Sequence, residues 1–285
     1  NSLVPLEKNA DLFSSSDEIV ALEKRMHEAN HKIFTAKSPQ KKAAWRKILA
    51  ESREKMAETL LESGFVSQSS SQMIASWNMF DQNSSAGFFD SEWMFDIREG
   101  FDIIIGNPPY IQLEENEGKL AKFYKPLTFE TFERTGDIYS LFYERGHALL
   151  KKKGILCYIT SNKWMRNDSG EKTRSFFSSK TNPLLLIDFA GLQLFSNATV
   201  ETNILMFANE LNNQNTIAVT ISKAMASAME MVNYVSENSS KQSFDNSDSW
   251  IILTPQEKNV VDKVAVKAKK LRDWDVIINR GILTG

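Results

Sequence analysis

Residues 101–110 read Phe-Asp-Ile-Ile-Ile-Gly-Asn-Pro-Pro-Tyr, an apolar run that ends abruptly in a polar, proline-stiffened turn. Phe101, Ile103, Ile104 and Ile105 are the residues that a strand buried on both faces uses, while Gly106 and two prolines cannot continue a ladder of hydrogen bonds. A strand that stops this way presents its turn at its carboxyl end, where open α/β sheets bind their ligands. The Asn107 amide oxygen and the Pro108 carbonyl give fixed acceptors for both hydrogens of a planar amino group, and Tyr110 offers a π-face. The segment is built to hold an amine carried by a flat ring.

Asn107-Pro108-Pro109-Tyr110 after such a strand resembles the catalytic motif of the DNA methyltransferases that act on adenine N6. The bland alternative is a strand halted by two prolines. With proline near 5% of residues, the tetrapeptide arises by chance in on the order of one per thousand chains of this length, so function is the stronger reading. The resemblance implies S-adenosylmethionine as methyl donor and duplex DNA with a flipped-out adenine as partner. It makes Asn107, Pro108, Pro109 and Tyr110 the catalytic group, with Tyr110 stacking on the base and Asn107 also lying at the floor of the cofactor pocket.

Further landmarks follow in order. Asp137 can cap a helix with Leu141, Phe142, Ala148 and Leu149 at helical spacing, Lys151, Lys152 and Lys153 lie at its negative end, and Gly154 stops it. Strands are expected over 155–160, 184–189 and 203–207, the first leading into Ser161-Asn162-Lys163-Trp164-Met165. The series resembles the second half of a class I, Rossmann-like methyltransferase sheet, an α/β fold. In that family an aromatic just before the last strand closes over the flipped base, and Phe195 stands in the matching place; a core phenylalanine is the other reading. Cations at 151–153, Lys163, Arg166, Lys172 and Arg174 are expected near the carboxyl ends of the strands, as phosphate contacts or as solvated surface.

The chain has 285 residues, 42% hydrophobic and 25% charged, enough to bury one large core or two smaller ones. Its net charge of -2 carries no overall basic footprint. The single Cys157 lies inside an apolar strand, which excludes an internal disulfide and favours a buried thiol over a nucleophile. No apolar run reaches membrane-spanning length and no signal peptide is visible, so the expectation is a cytoplasmic protein without a membrane partner.

Upstream of residue 101 only Gly64, Gly87 and Gly100 occur, none in a glycine-rich loop. The resemblance places the cofactor-cradling glycine motif and a ribose-binding acid before Asn107, so the cofactor site is expected to be incomplete and the upstream and downstream parts of the same polypeptide to be missing. Asn1 resembles the polar end of the family's third strand, beside the cofactor adenine. The end of the chain resembles the entry to a target-recognition domain.

Residues 16–64 carry a helical pattern broken at Ser38-Pro39, which predicts a helical-hairpin insertion. Ile19, Leu22, Met26, Ala29 and Ile33 line one arm; Ala44, Ile48, Met56, Leu60 and Leu61 line the other. Such an insertion resembles the large fused restriction-modification enzymes. It also contains His27-Glu28-Ala29-Asn30-His31, a zinc-hydrolase spacing with no compelling third ligand, so no metal is assigned. Methyltransferases of the release-factor glutamine amide share Asn-Pro-Pro-Tyr but are compact; a non-catalytic DNA-binding piece is the remaining rival. The expected organisation is 1–15, the end of a cofactor-side strand and loop; 16–64, the hairpin; 65–100, a connection; 101–210, the catalytic half; 211–253, a polar connection and strand; and 254–285, a helix and the start of a target-recognition region.

Overall fold

The computed structural model describes residues 1–6, 17–81, 86–95, 97–192, 194, 200–222, 227–269 and 273–274. Contacts divide the chain into two compact units: residues 1–102, 124–129 and 141–151 form the first, and 103–123, 130–140 and 152–285 the second.

The first unit is built on the expected hairpin, α1 (Asp17–Thr35) and α2 (Pro39–Glu62). Ser38 caps α2 by accepting from the Lys41 backbone N–H, and Pro39 takes the first helical position, where its missing donor costs nothing. All five apolar residues expected on α1 are buried. On α2 the face is Leu49, Met56, Ala57 and Leu60, whereas Ala44 is exposed. These side chains join Phe65, Val66, Ile74 of α3 (Gln68–Ser76) and Met94 of α4 (Ser91–Phe95) in one cluster. A buried Ile, Leu or Met contributes about 1.5–3 kcal/mol, so this stripe, more than helix propensity, holds the hairpin closed.

Strands between residues 101 and 242 form a six-stranded mixed sheet in the order β1-β2-β4-β3-β5-β6, confirming the α/β class. Its elements are β1 (Phe101–Gly106), α5 (Glu115–Tyr124), α6 (Tyr139–Leu149), β2 (Leu150–Ser161), α7 (Glu171–Lys180), β3 (Asn182–Asp188), β4 (Thr202–Ala208), β5 (Thr216–Thr220), α8 (Ala228–Asn238), β6 (Ser240–Gln242) and α9 (Pro255–Lys267). β4 lies antiparallel between β2 and β3, from Ile155 opposite Ala208 to Ser161 opposite Thr202, and from Asn182 opposite Ala208 to Asp188 opposite Asn203. β3 and β5 are parallel. The carboxyl ends of β2, β3 and β5 therefore share one edge of the sheet.

Several expectations are corrected. β1 is not buried on both faces: it is an edge of the described sheet, flanked only by β2, and Ile103 and Ile105 stand 67% and 80% exposed. Gly154 does not stop the helix: α6 ends at Leu149, β2 begins at Leu150 and Gly154 lies inside the strand, just after Lys153 at φ 66°. Lys151 pairs with Asp102 near the start of β1, so the 151–153 lysines lie at the amino end of β2, away from its carboxyl end. The polar stretch 211–253 holds α8 and two strands, more than the single strand expected. α9, in the region where a helix is expected, opens on a Thr254-Glu257 capping box, and its Val260, Val261, Val264 and Val266 are exposed.

Candidate active site at the carboxyl ends of the strands

The 107–110 turn leaves the sheet where Gly106 passes the Tyr158 ring on β2. A Cβ on Gly106 would lie 3.1 Å from Tyr158 Cε1, so the missing side chain is what lets the turn pass this ring closely. Pro108 is buried, while Asn107 and Pro109 are exposed. The Asn107 amide makes no hydrogen bond to a described residue.

Tyr110 is held by two contacts. Its hydroxyl donates to the Ile159 carbonyl at 3.1 Å, tying the turn to the end of β2. Its ring meets Tyr139 edge to face, with centroids 6.2 Å apart and planes at 88°. Half-burial pushes the Tyr110 phenol up to about 12, so it stays protonated and keeps its donor. Tyr139 is in turn fixed from below: its hydroxyl donates to Asp137 Oδ2 at 3.1 Å. Burial raises the Asp137 carboxyl above its ordinary range, against the opposing pull of the Tyr139 hydroxyl and of Lys163. The sequence offered Asp137 as a helix cap; in the structure its carboxyl group accepts from Tyr139 and so supports the aromatic pair of the proline turn.

A second polar cluster lies beyond the ends of β2 and β3. Asn162 Nδ2 donates to the fully buried Asp188 at 2.8 Å, and Arg166 Nη2 reaches its other oxygen at 3.1 Å. Asn162 also contacts Glu201 at 3.4 Å. Burial raises the Asp188 carboxyl, and its bonds to Asn162 and Arg166 pull it down in part. Nothing in the sequence marked Asp188, since a lone aspartate ending an apolar strand is a common pattern.

Of the other expected cations, Lys172 is engaged with Glu133 and the Phe132 carbonyl. Arg174 is buried and donates to the carbonyls of Trp164, Asn167 and Ser247. It anchors loops and cannot also serve as a free phosphate contact. Lys163 and Arg166 remain exposed near the strand ends.

Phe195 lies outside the described residues. Asn1 belongs to the first unit, where Oδ1 accepts from the Leu3 backbone N–H at 3.2 Å and Nδ2 donates to the Tyr124 hydroxyl at 3.2 Å. Its amide is thus committed to Leu3 and Tyr124. Gly64 follows α2, and Gly100 packs on the backbone of residues 149–151, so neither opens a cofactor loop. The described residues therefore do not fit a complete S-adenosylmethionine site. Cys157 is half-buried, and burial raises its thiol, which disfavours the reactive thiolate. His27, Glu28 and His31 are exposed on α1, and among the described residues no group of three His, Cys, Asp or Glu side chains converges. No described helix is long and apolar enough to cross a membrane.

Residues 14–195 match the family described as Eco57I restriction-modification methylase. The chain is 29% identical over 183 residues to the type II restriction enzyme and methyltransferase RM.Eco57I of Escherichia coli, covering 63% of this chain and 18% of that protein. It is 32% identical over 95 residues to the type II methyltransferase M.XhoI of Xanthomonas vasicola, covering 33% and 17%. It thus spans about a fifth of the length of these curated relatives. Among solved structures it is similar to the methyltransferase subunit of a type I restriction-modification system from Streptococcus thermophilus, with 14% identity, TM-score 0.44, and 64% of this chain and 44% of that one covered. Since the family match runs through the hairpin, the proline turn and the strands behind it, the chain belongs to the Eco57I restriction-modification methylase family.

Proposed function

We propose that this chain supplies the target-base half of a restriction-modification DNA methyltransferase that methylates adenine N6, working with other parts of the same polypeptide. The observation that carries the reading is the 107–110 turn: an Asn107 amide without a hydrogen bond to a described residue, beside a buried proline, with Tyr110 locked to Ile159 and braced by Tyr139. Family membership supports a methyltransferase; the turn supports an amino group on a flat ring as acceptor.

S-adenosylmethionine is the methyl donor this reading implies, and when bound it supplies an electrophilic methyl group. The acceptor side is the work of this chain. Adenine N6 lies inside the base stack, so the nucleotide is turned out of the duplex first. Tyr110, and Phe195 in the family's pattern, sandwich the base. Asn107 Oδ1 and the Pro108 carbonyl accept the two N6 hydrogens, drawing the nitrogen toward tetrahedral geometry and freeing its lone pair. No strong base is needed, because the proton leaves after the nitrogen has become positive. Orientation and fixed dipoles carry the rate.

The test is Asn107→Ala in the intact protein. Methyl transfer to duplex DNA falls by about a hundredfold or more, as for other oriented transition-state partners, while duplex affinity changes little. Retained turnover removes Asn107 from the mechanism. Transfer to a release-factor glutamine peptide, in place of DNA, assigns the amide substrate instead.

A further inference from the structure

The charge of the helical hairpin is distributed along its length. Residues 29–50 contain six cations, Lys32, Lys37, Lys41, Lys42, Arg46 and Lys47, and no Asp or Glu, in a chain where 36 of 285 residues are acidic. The opposite end carries Asp17, Glu18, Glu23 and Glu28 on α1 and Glu51, Glu54, Glu58 and Glu62 on α2. That acidic end is offset in part within the unit: Lys55 pairs with Glu18 at 3.0 Å and Arg98 with Glu23 at 3.8 Å. At the basic corner Arg46 lies over the Phe80 ring and Lys47 reaches back to Glu51. Lys32, Lys37 and Lys41 form no ion pair with a described carboxylate. These three line a cleft of about 610 Å³ together with Thr35, Ser38 and the half-buried Trp45. Phe34, beside Thr35 in the last turn of α1, is 71% exposed.

An ordinary solvated helix face mixes signs, as the acidic end does, because paired charges at i and i+4 support the helix. The corner omits carboxylates over six turns of chain and keeps Phe34 at the surface. The helix dipoles do not explain the choice: the negative end of α1 and the positive end of α2 meet at this corner and offset one another. Three ammonium groups with no ion-pair partner among the described residues, around a cleft with an aromatic wall, match the phosphates and sugar edges of a nucleic-acid backbone.

We propose that the corner formed by the end of α1 and the start of α2 is a docking surface for the phosphate backbone of duplex DNA, with Lys32, Lys37 and Lys41 as its phosphate contacts. It rests on the reading that the protein acts on DNA. The hairpin then contributes salt-sensitive affinity, independent of base sequence and of the chemistry at Asn107.

Duplex affinity of the intact protein is measured from about 50 to about 200 mM salt, the range over which phosphate contacts are most visible. The variants are Lys32→Gln/Lys37→Gln/Lys41→Gln and, at the acidic end, Lys24→Gln/Arg25→Gln/Lys55→Gln, which removes the same charge. The corner variant weakens binding about tenfold or more at the lower salt. Its slope of log affinity against log salt becomes shallower by about 2–3, at roughly 0.9 per phosphate contact. The acidic-end variant keeps the parent slope, and arginine at the three corner positions restores binding, which separates charge from folding. An unchanged slope in the corner variant, or equal changes in both variants, overturns the docking surface and leaves the Asn107 test standing. Failure of the parent to bind any duplex overturns both readings. Micromolar binding of inorganic pyrophosphate that the corner variant loses reassigns the cleft to a small phosphate compound.

Discussion

Tyr139 meets Tyr110 edge to face at 88° while its own hydroxyl is donated to Asp137, so the ring proposed to stack on a base is held through a second aromatic residue. Tyr110 is thereby restrained at both ends, by Tyr139 at the ring and by the Ile159 carbonyl at the hydroxyl. Preorganisation of this kind lowers the ordering cost of binding a planar ligand.

The consequence for catalysis is a graded response. Tyr110→Phe keeps the π-face and loses one hydrogen bond, so methyl transfer falls less than about tenfold, in line with about 0.5–1.5 kcal/mol for that bond. Tyr110→Ala removes the stacking surface, worth about 1–3 kcal/mol per base, and acts mainly through the KM for DNA. Steady-state kinetics on the two variants check this; equal losses would assign the function to the hydroxyl and not the ring.

Asp137 predicts a pH effect on stability. Burial raises its carboxyl in the folded protein above the value it has when unfolded. The proton is therefore bound more tightly by the folded state. The stability this contributes is complete below the ordinary carboxylate value of about 4 and is lost as pH rises through the higher folded value. Asp137→Asn keeps an acceptor for the Tyr139 hydroxyl and carries no charge, so its stability relative to the parent should improve between about pH 4 and pH 7. Thermal melts of both proteins at the two pH values measure the change, and a difference independent of pH would show that Asp137 is not strained by its burial.

Gly170 packs against the Trp164 backbone so closely that a Cβ there would overlap the Trp164 carbonyl oxygen. Trp164 is buried against Phe177 and Trp250, and Arg174 holds its carbonyl, so the turn has little room to retreat. Gly170→Ala should cost about 1–3 kcal/mol, the usual penalty for overpacking a filled core. Urea denaturation reads it as a lowered midpoint at constant slope; an unchanged midpoint would mean that the turn moves freely.

Cofactor binding offers a fourth outcome. The Asn1 amide is occupied by Leu3 and Tyr124, and the described glycines before β1 do not form a cradle. Binding sites normally enclose most of a small ligand. The 285-residue chain alone should show no measurable heat of binding with S-adenosylmethionine. Stoichiometric micromolar binding would locate a cofactor site elsewhere in the first hundred residues.

The hairpin was legible because two independent signals agree there: Ser38-Pro39 marks a helix start, and Ile19, Leu22, Met26, Ala29 and Ile33 recur at helical spacing and are all buried. β3 and β4 lay within a residue or two of expectation, since short apolar runs bounded by polar turns have few alternatives. α8 was missed because its helical pattern is short and lies in a polar stretch. The edge position of β1 depends on which strands are present beside it, which residues 101–106 do not encode. The proline turn was visible as local chemistry. Its supports, Ile159, Tyr139 and the carboxylate of Asp137, were not, because they meet it only after strands and helices far apart in sequence have taken their register.

The place of β4 bears on how the chain reaches this state. β2 and β3 follow one another in sequence, yet neither pairs with the other; both bond to β4, which begins only at Thr202. During synthesis the two earlier strands emerge with their facing edges bare, and the middle of the sheet closes only when residues 202–208 arrive. Assembly of this region is thus a late, cooperative event that rests on distant pairings, which fold slowly. A ribosome-bound chain ending before Thr202 should hold the hairpin but not the platform on which the proline turn depends.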